Sequence, residues 1–183
     1  MEKSVDKNRK KEFLEKRKKA SSERYETQWD EMGVPSSKKK SKIRSGRIAK
    51  ASGARFELRV RKDLTEKGRT VDKWSNNVDL DSGCIVPAKR KFNPFSKVMT
   101  IGTGFPDFIS IGRVRDNLYS VIGIEVKMNG ILSKIEKEKC AWYLRNKVFG
   151  EIWIARMERD GRKIIVKYDN FVDRYPKFMN NKN

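Results

Sequence analysis

The feature that most constrains the fold of this 183-residue chain is a pair of apolar runs rich in β-branched residues. The runs are Phe105–Ile111 and Tyr119–Val126, and the polar segment Arg113–Asn117 separates them. Apolar runs of this length on either side of a short polar segment predict two adjacent strands with a hairpin-like connection. A β-sheet is therefore expected at the centre of the molecule.

Three charged residues lie at the ends of these predicted strands. Asp107 follows Pro106 in the first run, and Glu125 and Lys127 lie two residues apart at the end of the second. Side chains alternate between the two faces of a strand, so Glu125 and Lys127 project to the same side, and pairing of the strands brings Asp107 towards them. We therefore expect two carboxylates and one ammonium group to converge.

This expected cluster has two interpretations. Two neighbouring carboxylates repel each other unless a cation such as Mg²⁺ or Mn²⁺ lies between them. A lysine beside that cation can orient water or stabilise charge that develops on a phosphate. The alternative is that Asp107 caps a turn, while Glu125 and Lys127 form a solvated ion pair at the edge of the sheet.

The dipeptide Pro106-Asp107, followed later by Glu125-Val126-Lys127, resembles the signature of the PD-(D/E)xK nucleases. The resemblance implies an α/β fold with a restriction-endonuclease-like core, in which helices flank a central mixed β-sheet. It also implies Mg²⁺-dependent hydrolysis of phosphodiester bonds, with Mn²⁺ able to substitute. By this resemblance the metal ligands are Asp107, Glu125 and the main-chain carbonyl of Val126. Lys127 then positions the attacking water and offsets charge on the phosphate.

The first helix is predicted from Ile48 to Lys67, because apolar residues recur in it at helical spacing and Gly68 supplies a C-terminal cap. Glu57 borders this apolar stripe and lies four residues after Gly53. In isolation Glu57 is a surface glutamate that pairs with Arg61. The pattern Gly-x-x-x-Glu on a helix before a strand, however, resembles the start of the archaeal Holliday junction resolvases. That resemblance implies that Glu57 joins the metal site.

A second helix is predicted over Lys134–Lys147, with Ser133 as its N-cap. Its apolar side includes Lys137 together with Cys140. PD-(D/E)xK proteins often carry a Gln or Lys on this helix that reaches the catalytic site, and the resemblance makes Lys137 a candidate for that role. The alternative is that Lys137 extends its ammonium group to solvent along an apolar surface.

The predicted elements follow one another as a helix, three strands, a helix and two strands. This order fits an α/β sandwich around a central mixed sheet. The resemblance to nucleases covers roughly residues 50–157. Within that range, Thr103–Ile109 and Ile124–Lys127 also resemble VRR-NUC domains.

The chain is expected to consist of an extension, a domain and a tail. A basic N-terminal extension, partly disordered or helical, is expected over residues 1–45, and a nuclease domain over residues 46–175. Residues 77–103 have little pattern and are expected to form an inserted hairpin or loop. Residues 176–183 are expected to be a frayed tail.

The chain is strongly basic, with a net charge of +20 and an isoelectric point of about 10.1. Residues 1–50 contain 17 Lys and Arg against 8 Asp and Glu, and residues 51–183 contain 27 against 16. Because both parts are basic, a polyanionic partner such as DNA is indicated. The alternative is that the basic segments are simply solvated. The residues expected to contact nucleic acid are Arg47, Lys50, Lys89, Arg90 and Lys91.

The residue types that are rare or missing exclude several classes of protein. The chain contains no histidine, which excludes histidine-based nucleases, Ser-His-Asp hydrolases and histidine-ligated metals. Cys84 and Cys140 are far apart, so neither a zinc finger nor a disulfide framework is predicted, and a reducing compartment is indicated. No apolar run reaches the ~18 residues of a membrane span. We therefore expect a cytoplasmic protein with no membrane contact.

The predicted function is that of a Mg²⁺-dependent DNA endonuclease that acts on branched or otherwise structured DNA, as Holliday junction resolvases do. A homodimer is expected, because symmetric cleavage of two strands generally requires two sites related by a two-fold axis. Two alternatives stay open. One is a non-catalytic nucleic-acid-binding module with a vestigial nuclease fold, and the other is a restriction-type endonuclease.

Overall fold

The computed structural model of the protein describes residues 11–18, 22, 24–29, 35–88, 90–93, 98–101 and 104–180. The chain forms two compact units, Met1–Ser52 and Gly53–Asn183. The division between the units lies within one long helix, Lys40–Glu66. Among the described residues, the helices lack either the length or the apolar character of a membrane-spanning segment.

The first unit contains helix α1 (residues 11–18), a hairpin and the start of α2 (Lys40–Glu66). The hairpin consists of β1 (Tyr25–Trp29) and β2 (Pro35–Lys39), which pair in antiparallel fashion. Strand β2 leads directly into α2, which therefore begins eight residues before the predicted start at Ile48. The physical reason is that the basic segment contains Lys, Arg and Ala but no proline, and its one glycine costs only about 1 kcal/mol in a helix.

The second unit contains nine of the described strands and three complete helices. The helices are α3 (Lys134–Arg145), α4 (Phe171–Arg174) and α5 (Pro176–Asn180). The strands, in chain order, are β3 (Thr70–Lys73), β4 (Asn76–Asp79), β5 (Cys84–Pro87), β6 (Arg90–Asn93), β7 (Val98–Ile101), β8 (Phe108–Arg115), β9 (Leu118–Val126), β10 (Glu151–Asp160) and β11 (Lys163–Asn170).

Five of these strands form the central sheet, in the order β11-β10-β9-β8-β3. Strands β9 and β10 run parallel, and the other neighbouring pairs run antiparallel. Helix α3 lies in the connection between the two parallel strands, as a crossover requires. The prediction of a mixed α/β fold with a central mixed sheet and helices is therefore confirmed.

The segment between β3 and β8 contains two small antiparallel sheets, β4 with β5 and β6 with β7. The sequence predicts an inserted hairpin or loop at about residues 77–103, and the described part of that segment consists largely of such hairpins. Each strand of these hairpins has four residues, which is too few to show a clear alternation of apolar and polar residues.

Both faces of the central sheet are covered by apolar side chains. On one face, Phe56, Val60 and Leu64 of α2 pack with side chains of β3, β8, β9 and β10. On the other face, Cys140, Ala141 and Tyr143 of α3 pack with β10 and the segments around it. The apolar stripe predicted on the first helix is thus buried, and its burial holds the helix against the sheet.

The structure differs from the prediction at the end of β8 and at the C-terminal end of the described chain. Strand β8 continues through Arg115, so the polar segment expected to be a turn is largely strand, and the turn is confined to Asp116 and Asn117. Residues 176–180 are helical rather than frayed. Phe178 and Met179 of this helix pack against the apolar cluster on the α3 face, which stabilises the end of the domain.

Candidate active site

Asp107 lies immediately before β8, beside the end of β9. The last paired residues of the β8–β9 ladder are Phe108 and Ile124, so the peptide groups of Val126 lie beyond it. The N–H of Val126 donates a hydrogen bond to Asp107 Oδ2 at 2.9 Å. The predicted approach of Asp107 to the end of the second strand is therefore present, and a main-chain hydrogen bond holds it.

Two glycines allow the chain before Asp107 to lie close to its neighbours. A Cβ atom at Gly123 on β9 would lie 3.0 Å from Cγ of Pro106. A Cβ atom at Gly104 would lie 2.0 Å from the carbonyl oxygen of Trp74. The segment that carries Asp107 therefore packs directly against main chain, where no side chain can be accommodated.

Glu125 is the most buried charged side chain of the site, with only 3% of its surface exposed. Its Oε1 lies 3.1 Å from the Nζ of Lys127. Its Oε2 is buried without a hydrogen-bond partner, and it is the only such side-chain atom in the part of the chain that the structure describes. One oxygen of Glu125 therefore accepts no hydrogen bond from the described chain.

Burial changes the protonation of both carboxyl groups. The pKa of Glu125 is raised to about 8, mainly by burial and secondly by the negative charge of Asp107. Burial also raises the pKa of Asp107 to about 6, although the hydrogen bond from Val126 opposes the change. The charge of Asp107 thus makes ionisation of Glu125 more costly, as expected for neighbouring carboxylates in a partly dry site.

Lys127 is held between two carboxylates. Its Nζ lies 2.7 Å from Oε1 of Glu136 and 3.1 Å from Oε1 of Glu125. Burial lowers the pKa of Lys127, but the hydrogen bonds and charges of Glu136 and Glu125 outweigh burial and hold that pKa above its usual range. Lys127 is therefore a stable cation in this structure and is unsuited to accept a proton.

Glu136 is a member of the cluster that the sequence analysis did not identify. Ser133 and Glu136 form a capping box at the start of α3: the Glu136 N–H donates to Ser133 Oγ, and the Ser133 N–H donates to Glu136 Oε2 at 2.7 Å. Its other oxygen accepts from Lys127. The available signal was the pattern Ser-x-x-Glu, which is typical of a helix start.

Glu57 lies within electrostatic reach of the pair. Its charge raises the pKa of Asp107, and its Oε2 lies 3.9 Å from the Nζ of Lys73. Within the described residues, however, no three His, Cys, Asp or Glu side chains are grouped closely enough to hold a metal ion. The role of Glu57 as a metal ligand therefore stays a prediction.

Lys137 contacts aromatic rings of the C-terminal segment. Its Nζ lies over the ring of Tyr175, 4.5 Å from the centroid, and 5.7 Å from the centroid of Phe178. These cation–π contacts link α3 to the C-terminal helices and account for the position of Lys137 without a catalytic role. The catalytic role of Lys137 stays a prediction that its contacts do not support.

The residues predicted to contact nucleic acid lie in two segments. Arg47 and Lys50 are exposed on α2 in the first unit. Arg90 and Lys91 belong to β6, whereas Lys89 lies outside the described residues. Contact of all five with nucleic acid stays a prediction.

The donor set fits a hard divalent cation in its chemistry. Carboxylate oxygens are ligands that Mg²⁺ prefers, and Asp107 and Glu125, which interact electrostatically, both supply them. The unpartnered Oε2 of Glu125 is the observation that favours a cation. Buried polar atoms nearly always have a partner, and a bound cation would supply one for this oxygen.

Comparisons with known proteins add no relationship. No protein family matches this chain, and no curated protein or solved structure matches it. The class that the fold and the site define is therefore a mixed α/β protein in which a buried glutamate, Glu125, and a half-buried aspartate, Asp107, lie at the ends of two central strands.

Proposed function

We propose that the protein is a metal-dependent nuclease with a restriction-endonuclease-like core, which hydrolyses phosphodiester bonds in DNA. The observation that carries this proposal is the buried Oε2 of Glu125, which has no hydrogen-bond partner and belongs to a close pair of carboxyl groups. A buried polar group without a partner costs about 1–3 kcal/mol. A bound cation removes that cost, and such costs are tolerated mainly at functional sites.

Asp107, Glu125 and the main-chain carbonyl of Val126 are the residues that would hold the metal. The metal would supply Lewis-acid polarisation of a phosphoryl oxygen and a bound water of lowered pKa. The hydrogen bond from the Val126 N–H orients Asp107, and the ion pair with Lys127 orients Glu125. Both carboxylates are therefore fixed before any ligand binds, which lowers the entropic cost of binding.

Lys127 contributes a permanent positive charge. Because its pKa is held above the usual range, it stays protonated during the reaction and cannot act as the general base. An ammonium group beside the reacting phosphate stabilises the negative charge that develops in the transition state. Glu136 acts on the reaction only through Lys127, by setting the position of its ammonium group.

DNA is the proposed substrate because both parts of the chain are basic and the net charge is +20. Branched or otherwise structured DNA, cut by a homodimer, is the form of substrate that we propose, by resemblance to junction resolvases. The cleavage of four-way junctions in preference to linear duplexes is the property that distinguishes this proposal from a restriction-type endonuclease.

The proposal is tested by incubating the protein with linear, nicked, flap and four-way junction DNA in Mg²⁺, in Mn²⁺ and in EDTA. We expect cleavage with either metal and none in EDTA. Asp107→Asn and Glu125→Gln should each lower the cleavage rate at least about hundredfold, with DNA binding equal or tighter. The control is Asp72→Asn, which removes an exposed carboxylate from β3.

A non-catalytic nucleic-acid-binding protein is the second candidate. It is favoured by one observation, namely that the described residues contain no group of three metal-ligating side chains. Under that alternative the wild type cuts no DNA with either metal, and the two variants bind DNA as the wild type does. That pair of results would overturn the nuclease proposal.

A further inference from the structure

The first unit contains a groove of about 630 Å³ between the β1–β2 hairpin and the first part of α2. One aromatic side chain, Tyr25, lines it, together with Ser37, Ile43 and Gly46. The other lining residues are all basic: Lys38, Lys39, Lys42, Arg47 and Lys50. No carboxylate is among the described residues that line this groove, which we call the basic groove.

The local structure explains how these cations come together. Tyr25 is paired with Lys39 across the hairpin, so the aromatic ring and the end of β2 lie side by side. Because β2 continues into α2 without a break, the basic residues pass directly from the strand to the helix. On the helix they recur at intervals of three to five residues and occupy one side of it.

The five basic side chains of the groove form an extended row rather than a compact cluster. From Lys42 to Lys50 the helix rises by about 12 Å, at about 1.5 Å per residue, and Lys39 extends the row into β2. The phosphates of one DNA strand follow one another at about 3.4 Å along the helix axis. The row is therefore long enough to face several successive phosphates, whereas a single small anion would use only part of it.

The hairpin also carries an acidic residue, Glu26. Glu26 lies opposite Lys38 in the strand pairing, but it does not line the basic groove. Five cations without an intervening carboxylate repel one another, and an extended anion relieves that repulsion. Tyr25 adds a flat apolar face, on which a nucleobase can stack.

We propose that the basic groove binds the sugar–phosphate backbone of a single nucleic-acid strand, with Tyr25 stacked on one base. Its volume is that of a small-molecule pocket, about 300–1,000 Å³, so it admits one strand and not a duplex. The inference rests on the proposed function only in taking nucleic acid as the partner. It adds a second binding site, in a different unit from the carboxylate pair.

The test measures binding of the full-length protein to a fluorescent single-stranded DNA oligonucleotide in EDTA, over a range of salt concentrations. The groove variant is Lys42→Gln/Arg47→Gln/Lys50→Gln. The control is Lys62→Gln/Lys163→Gln/Lys167→Gln, which removes the same charge from a groove of the second unit that Asp63 and Glu66 also line. Circular dichroism checks that both proteins are folded.

We expect the groove variant to bind the oligonucleotide at least about tenfold more weakly at low salt. The slope of log affinity against log salt should fall by about 2, because each phosphate contact contributes about 0.7 for a single strand. The control should stay within about twofold of the wild type, since its charges do not line the basic groove. Tyr25→Ala should weaken binding at least about fivefold without changing the slope, and Tyr25→Phe should restore it.

Three results would overturn the inference. Equal losses in the groove variant and the control would show a general effect of charge. Tighter binding of the matching duplex, lost in the groove variant, would exclude a single-strand site. If the groove variant loses binding to vesicles containing anionic lipid but binds the oligonucleotide as the wild type does, the groove binds a membrane surface instead. Because all measurements are made in EDTA, they give an answer even if the protein cleaves no DNA.

Discussion

The Nζ of Lys127 lies 2.7 Å from Oε1 of Glu136, and the other carboxylate oxygen of Glu136 closes the capping box of α3. One side chain therefore both starts a helix and holds the ammonium group of the candidate site. Since Lys127 also contacts Glu125, the start of α3 is connected through two ion pairs to the buried carboxylate.

The first prediction concerns Glu136. Glu136→Gln keeps an oxygen for the capping box but removes the charge beside Lys127, so we expect the cleavage rate at saturating DNA to fall about tenfold. Stability should change by about 0–1 kcal/mol. Glu136→Ala should also lose the cap, which costs about 1 kcal/mol more. The control is Glu138→Gln on the same helix. Full activity of Glu136→Gln would restrict Glu136 to a structural role.

The second prediction concerns Lys127. Lys127→Ala removes the cation that faces the reacting phosphate, and we expect cleavage to fall at least about hundredfold. Mg²⁺ should nevertheless still raise the melting temperature, because the carboxylates that bind it are retained. Lys134→Ala, at an exposed position on α3, is the control. A variant that cleaves normally would show that Lys127 serves only the ion-pair network.

The third prediction concerns stability against pH in EDTA. The pKa of Glu125 is about 8 in the folded protein against an ordinary 4.5, so the folded state binds its proton more tightly than the unfolded state does. This contribution to stability is fully present below pH 4.5 and is lost as the pH rises through 8. Glu125→Gln, which resembles the protonated form, should therefore be more stable than the wild type above pH 8.

The measurement is thermal unfolding of both proteins at pH 5 and at pH 8.5. We expect Glu125→Gln to gain about 1–3 kcal/mol at the higher pH, which corresponds to about 2–4 °C per kcal/mol. The difference should shrink at pH 5, where the wild type is itself protonated. Glu66→Gln on the exposed side of α2 should show no such dependence. A difference that is the same at both pH values would contradict the raised pKa.

The fourth prediction concerns metal binding without catalysis. At pH 8, which lies above the pKa of Asp107 (about 6) and at the pKa of Glu125 (about 8), most of the charge of the carboxylate pair is present. Mg²⁺ should there stabilise the wild type by about 2.7 kcal/mol at a hundred times its dissociation constant. Asp107→Asn and Glu125→Gln should show no such stabilisation. NaCl at equal ionic strength and the Asp72→Asn variant serve as controls. If Mg²⁺ leaves the wild-type melting temperature unchanged, the carboxylate pair is not a metal site.

The fifth prediction concerns Gly123. In Gly123→Ala the new Cβ lies 3.0 Å from Pro106 and 3.2 Å from Phe149, so the segment that carries Asp107 must shift. We expect a loss of about 1–3 kcal/mol of stability together with a fall in cleavage. Gly150→Ala, whose Cβ meets only the Val121 carbonyl at 3.5 Å, is the matched control. Equal effects of the two substitutions would show that the close contact of Gly123 with Pro106 does not position Asp107.

Several features of this protein follow from the sequence by itself, because they depend on local periodicity. The spacing of Phe56, Val60 and Leu64 determines which side of α2 is buried, and the structure confirms it. The alternation of side chains along a strand places Glu125 and Lys127 on one side, where they form an ion pair. The pairing of the two apolar runs is sufficient to bring Asp107 to the end of β9.

Other features are decided only by tertiary structure. Neighbouring residues on a helix point about 100° apart, so the rotation of α3 about its axis determines whether Glu136 or Lys137 faces the site. That rotation is set by the packing of Cys140, Ala141 and Tyr143 against the sheet, and it brings Glu136 to Lys127. Lys137 is turned towards Tyr175 instead, in a C-terminal segment whose helical structure depends on contacts distant in sequence.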